Sequence, residues 1–138
     1  MAGFQPSSPL SLSGHIHPTI LHEPGGTPAE IIEAGSNFLV HVEWAITGSA
    51  VALMGGNFQV KVYFEGFGND TDEKQFASGD VAVVPVSGYH YTVHIPVNGT
   101  DLKVGAYRMI ALVTYKNAAG NPGPIAGYSD DVIVQIFP

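Results

Sequence analysis

Residues 38–46 read FLVHVEWAI, and their alternation decides the class of fold. Phe38, Val40, Val42, Trp44 and Ile46 take one parity, while Leu39, His41, Glu43 and Ala45 take the other. A strand turns successive side chains to opposite faces, so the first set is predicted to face a core and the second to face outward. The pattern returns at residues 57–66, NFQVKVYFEG, where Phe58, Val60, Val62 and Phe64 alternate with Gln59, Lys61, Tyr63 and Glu65. Three more strand-length runs follow, YHYTVHIPV from residue 89, YRMIALVTY from 107 and DVIVQIF from 131, all rich in β-branched or aromatic residues. No segment carries a convincing 3.6-residue apolar period. The run VAVVPV, residues 81–86, contains Pro85, which removes a ladder donor and marks an edge or a crossover. About seven short strands separated by glycine-punctuated turns predict an all-β sandwich or barrel.

The rest of the chain bounds what such a fold can do. Its 138 residues suit one domain, and a chain of this size buries roughly 68% of its unfolded surface without cross-links. Residues 1–28, with Pro6, Pro9, Pro18, Pro24, Pro28 and the pair Gly25-Gly26, read as an extended proline-rich arm ahead of a sandwich domain at 29–138. Within the arm, SLSGHIHPTIL has the alternation of an edge strand or of a tail laid over a neighbour. There is no cysteine, which excludes disulfides and thiolate chemistry. Charged residues make up 12% of the chain, against about 25% in ordinary soluble domains. Much of the surface is therefore uncharged, which suits burial against other subunits. The net charge of −7 opposes nucleic-acid binding, which draws on clustered Lys and Arg. The opening MAGFQPSSPLSLSG lacks the charged and apolar regions of a signal peptide, and no run of about 18 apolar residues occurs. No membrane insertion is expected, and a cytoplasmic location is the default.

Residues 101–107, DLKVGAY, resemble the Leu-x-x-Gly-x-Tyr turn of immunoglobulin-like domains, in which the tyrosine forms a corner with upstream backbone. Tyr107 takes that role by resemblance. Met109 stands where antibody domains carry their second disulfide cysteine, so the core must close by packing alone. The order of Trp44, Tyr63 and Tyr107, and the turn NAAGNPGP at 117–124, are similar to the fibronectin type III style of sandwich. The resemblance spans residues 29–138 and implies an antiparallel β-sandwich of about seven strands. It is nearly silent on function.

If the strand order is immunoglobulin-like, the strands at 38–46 and 89–96 are neighbours. Tyr89, Tyr91, Val93 and Ile95 then point inward, and His90, Thr92 and His94 face His41 and Glu43 across the ladder. Opposed side chains lie about 4.5–5.5 Å apart at Cβ, close enough for two or three of these groups to meet one ion. His41, Glu43, His90 and His94 are therefore the candidate metal ligands, joined by His15 or His17 if the arm packs on that sheet. Their spacing matches no established metal motif, so no resident metal or cofactor is expected, and His90 and His94 read as subunit-contact residues. Asp70, Asp72 and Glu73 lack the spacing of a calcium loop and read as a solvated turn. Asn69 and Asn98 begin Asn-x-Thr sequons, which matter only in a glycosylating compartment. No GxSxG elbow, P-loop, HExxH pair or dinucleotide fingerprint is present, so an enzyme is not expected.

The outward parity of the late strands is apolar as well. Arg108, Ile110 and Leu112 on one strand, and Ile133 and Phe137 on the last, have no obvious core to fill, and together with Tyr63 they read as an interface. The expected role is a structural, self-associating subunit of a homo-oligomer or larger assembly such as a filament, tube or shell, with the arm contacting neighbours. A carbohydrate- or protein-binding module using Phe64, Phe67, Tyr89 and Tyr128 near the turns is the alternative.

Overall fold

A computed structural model of the chain describes residues 2–6, 13–22, 27–28, 31–67 and 73–138. Among the described residues eleven strands form: β1 Ala2–Pro6, β2 Ser13–His22, β3 Thr27–Pro28, β4 Ile31–Glu33, β5 Phe38–Thr47, β6 Asn57–Gly66, β7 Lys74–Ala77, β8 Val81–Ala82, β9 His90–Val97, β10 Gly105–Lys116 and β11 Pro122–Phe137. Two short 3-10 turns, Ser49–Leu53 and Gly99–Asp101, are the helical elements among the described residues. The first sheet runs β2-β5-β9, with β3 beside β2. The second runs β7-β6-β10-β11, with β8 on β6 and β4 parallel to the end of β11. β1 pairs with both β11 and β2 and so joins the two sheets along one side.

The alternation of β5 and β6 sets the core between these sheets. Val40, Val42, Trp44, Phe58, Val60, Val62 and Phe64 are at most 1% exposed, and Met109, Ala111, Val113 and Val134 close over them. Trp44 stacks on Tyr91 at 5.2 Å between ring centroids, and Phe58 meets both rings edge-on. Such edge and stacked aromatic pairs add about 0.5–1.5 kcal/mol each beyond their buried area. Tyr107 donates from its hydroxyl to the Lys103 carbonyl at 2.8 Å, which is the corner that the DLKVGAY turn predicts.

The amino-terminal segment is extended, and Ser13–His22 is built into the sandwich rather than laid outside it. β2 pairs with β5 along its whole length, from Ser13 opposite Thr47 to His22 opposite Phe38. Ile16 and Ile20 are 0% and 2% exposed in the same core as Trp44, so residue 28 does not mark a boundary between an arm and a separate domain. Pro18 is tolerated here because the other side of β2 carries described partners only at His15 and Ile16 and at Leu21 and His22. Pro85 lies in the crossover from β8 in the second sheet to β9 in the first, where Tyr91 holds the crossing chain through Val84.

One turn depends on the absence of a side chain. A Cβ on Gly99 would lie 2.3 Å from the Ser36 carbonyl oxygen, and the Gly99 amide donates to Asn37 Oδ1 at 3.0 Å. This close approach ties the turn before β10 to the turn before β5.

Candidate functional site

The ladder of the first sheet arranges its outward residues in rows. His15, Ala45 and His90 form one row, His17, Glu43 and Thr92 the next, and Thr19, His41 and His94 a third. Five of the chain's six histidines thus share one sheet face. Each comes from the outward parity of a strand whose inward parity is committed to the core. Ala45 has outward parity but is only 2% exposed, lying between two imidazole-bearing positions.

Three of these side chains touch in series. His41 Nδ1 lies 2.8 Å from His94 Nε2, and His41 Nε2 lies 2.8 Å from Glu43 Oε1. A carboxylate only accepts, so His41 carries a proton on Nε2 and donates it to Glu43. That hydrogen bond, reinforced by the charges that His41, His17 and His90 can carry, holds the Glu43 carboxyl below the ordinary glutamate range against a smaller opposing effect of burial. His90 stands four residues, two rows, along β9 from His94 and is not in this series. Among the described residues no three His, Asp or Glu side chains come close enough to hold one ion together. The four candidate ligands therefore divide, with His41, Glu43 and His94 in contact and His90 apart.

Tyr91 and Ile95 are buried, but Tyr89 is not the core residue that its parity predicts. It is 43% exposed and leans its ring on Tyr91, because it precedes the first β9 pairing at His90 and belongs to the turn after Gly88. Burial raises the Tyr91 hydroxyl above the usual tyrosine value, although its bonding to Val84 opposes the shift.

The outer face of the second sheet is of another kind. Tyr63 lies opposite Ile110, and Lys61, Leu112 and Tyr128 form a row across β6, β10 and β11. Glu65, Arg108 and Ile133 form a further row. Between these rows the ladder carries a bulge, with Met109 opposite Val132 and Ala111 opposite Ser129. The bulge sets two residues of β11, Asp130 and Asp131, against the single Ile110, and it returns Ile133 and Phe137 to the outer face. Tyr128 is 50%, Ile133 54% and Phe137 39% exposed, while Arg108, Ile110 and Leu112 are half-buried. All five Lys and Arg of the chain, at 61, 74, 103, 108 and 116, lie on β6, β7, β10 or the turn before β10. Neither Lys nor Arg occurs on β2, β5 or β9.

The aromatic residues near turns do not assemble into one binding surface. Phe64 is fully buried, and Phe67 sits under the Arg108 guanidinium at 5.8 Å. Phe38 meets Phe64 at one end of the sandwich and Trp44 meets Phe58 toward the other, which separates Phe67 from Tyr89. An open groove of about 310 Å³ lies instead among Asn37, Phe76, Pro96, Val97, Asn98 and Asp101, a site that strand alternation does not disclose. Its one signal in the sequence is the NGT turn at 98–100, where Asn98 Oδ1 accepts from both the Thr100 amide and hydroxyl. Asp70 and Asp72 and the Asn69 sequon lie outside the described residues.

No family model and no curated protein matches the chain. Solved structures do. The C-terminal domain of wzt matches with a TM-score of 0.61 at 10% identity, over 96% of this chain and 81% of that one. The CARDB domain of a Pyrococcus furiosus protein matches at 0.45 and 15% identity, over 90% of this chain and 94% of that one. A β-glucosidase from Listeria innocua matches at 0.47 and 12% identity, over 91% of this chain and 16% of the enzyme. At such identities the first likeness speaks to fold alone, and together with the strand order and the tyrosine corner it makes the chain an immunoglobulin-like β-sandwich.

Proposed function

We propose that this protein is a structural subunit that associates with further copies of itself through the outer face of β6, β10 and β11. The observation that carries this reading is the apolar stripe of Tyr63, Ile110, Leu112, Tyr128 and Ile133, exposed or half-buried on a face that no described element covers. Contiguous exposed apolar surface of this kind marks an interface. A second copy is the favoured occupant because the stripe is rimmed by both signs of charge, with Lys61, Arg108 and Lys116 beside Glu65 and Asp130. A two-fold contact sets each patch against itself, so a mixed rim can satisfy its own partner where a single-sign rim would repel it. The chain's low charge supports the same reading. Within the fold, the buried Trp44 and Tyr107 with Met109 in place of a cysteine favour the fibronectin type III style. Neither a catalytic role nor a nucleic-acid partner is part of this reading.

Light scattering on the eluting full chain tests it. The wild type should elute as an oligomer at high micromolar concentration, and a Leu112→Glu, Ile133→Glu variant should elute as a folded monomer. A monomeric wild type, or an oligomer indifferent to both substitutions, overturns the proposal. The groove at Asn37, Phe76 and Asn98, an aromatic edge beside amide groups, favours a carbohydrate-binding module as the second reading. A glycan array read with the wild type and with an Asn98→Ala variant would distinguish it.

A further inference from the structure

The geometry points to a two-histidine site for a divalent borderline metal ion, of the zinc, nickel or copper class, on the outer face of the first sheet. Its ligands are His41 Nδ1 and His94 Nε2, and Glu43 buttresses His41 from the far side of the ring.

The two nitrogens already face each other across the ladder at 2.8 Å. Zinc–imidazole bonds are about 2.0–2.1 Å, so two nitrogens on a tetrahedral ion stand about 3.3–3.4 Å apart. Opening the pair by about half an ångström seats a metal where the rings share a proton, which passes through solvent from His94 Nε2 to His94 Nδ1, a small turn of two rings of which His94 is exposed. The tautomer of His41 already suits the exchange. With its Nε2 proton donated to Glu43 Oε1 at 2.8 Å, its Nδ1 presents a lone pair toward His94. A ligating histidine whose other nitrogen donates to a carboxylate is the usual support for a metal, since it fixes the ring and raises its basicity. His94 meets the ion through Nε2 by carrying its own proton on Nδ1.

The electrostatic setting agrees. β2, β5 and β9 carry no Lys or Arg, the facing carboxylate is Glu43, and the chain bears −7 overall. No third His, Asp or Glu among the described residues reaches the same point, so water completes the coordination and affinity should follow copper above nickel and zinc. His90 is the internal control. It shares the strand and the face with His94 but lies opposite Ala45, which offers no ligand.

Calorimetry on the full chain, stripped with a chelator and titrated with zinc chloride or nickel chloride alone, tests the site. Saturable binding of one equivalent is expected, weakened at least tenfold by His41→Asn or His94→Asn and several-fold by Glu43→Gln, and unchanged by His90→Asn. Should a variant fail to fold, nickel-induced broadening of the wild-type imidazole resonances gives the same answer, with His41 and His94 broadening first. Absence of saturable binding at about 1 mM metal overturns the site. So does an equal loss on His90→Asn, or uniform broadening of all histidines, since either would mean an unspecific histidine-rich surface.

Discussion

At the scale of single residues, the core among the described residues holds one polar atom at a disadvantage and several tied down. Trp44 Nε1 is buried with no hydrogen-bond partner. An orphaned donor costs about 1–3 kcal/mol, comparable to the packing lost with the smaller ring, so Trp44→Phe should change stability by less than about 1 kcal/mol in a denaturant melt. Tyr107 has its hydroxyl on the Lys103 carbonyl, and Tyr107→Phe should cost about 1 kcal/mol by the same measurement. Tyr91 gives a pH signature. Its folded hydroxyl titrates above the unfolded value, so its contribution is complete below about pH 10 and is lost as pH rises through the higher folded value. Tyr91→Phe should flatten the alkaline limb of the stability curve, and an unchanged limb would contradict the assignment. Of these residues, Tyr107 was legible in DLKVGAY because a turn motif is local. The orphaned Trp44 donor was not, because a missing partner is a property of everything packed around the ring.

At the scale of elements, β2 matters most. Prolines on both sides of SLSGHIHPTIL suggest a peripheral arm, yet the register with β5 buries Ile16 and Ile20 beside Trp44. Ile16→Ala should therefore cost about 2–5 kcal/mol. Deleting residues 1–22 should unfold or severely destabilise the domain, read as loss of a cooperative thermal transition, rather than release an intact monomer. Alternation in this segment was visible from the residues, but its partner was not, since pairing is a long-range choice made by the whole sheet. The bulge opposite Ile110 makes the same point. Nothing in YRMIALVTY or SDDVIVQIF announces it, and it decides that Ile133 and Phe137 share a face with Leu112 and Tyr128.

At the scale of the molecule, the two outer faces are chemically segregated, with histidines on one and apolar groups amid the cations on the other. If the second face joins copies, the oligomer should persist from 0.1 to about 1 M salt, because screening weakens rim ion pairs and leaves apolar burial intact. Dissociation across that range, followed by light scattering, would mean that charge rather than apolar contact holds the copies together. The amino-acid sequence by itself determined the all-β class, the inward parity of β5, β6 and β10, and the tyrosine corner, because alternation and turn chemistry act over a few residues. Only the tertiary structure decided that β2 completes the first sheet, that His41 meets His94 while His90 stands apart, and that Tyr89 leaves the core. Those outcomes depend on register, and register is fixed by all the strands together.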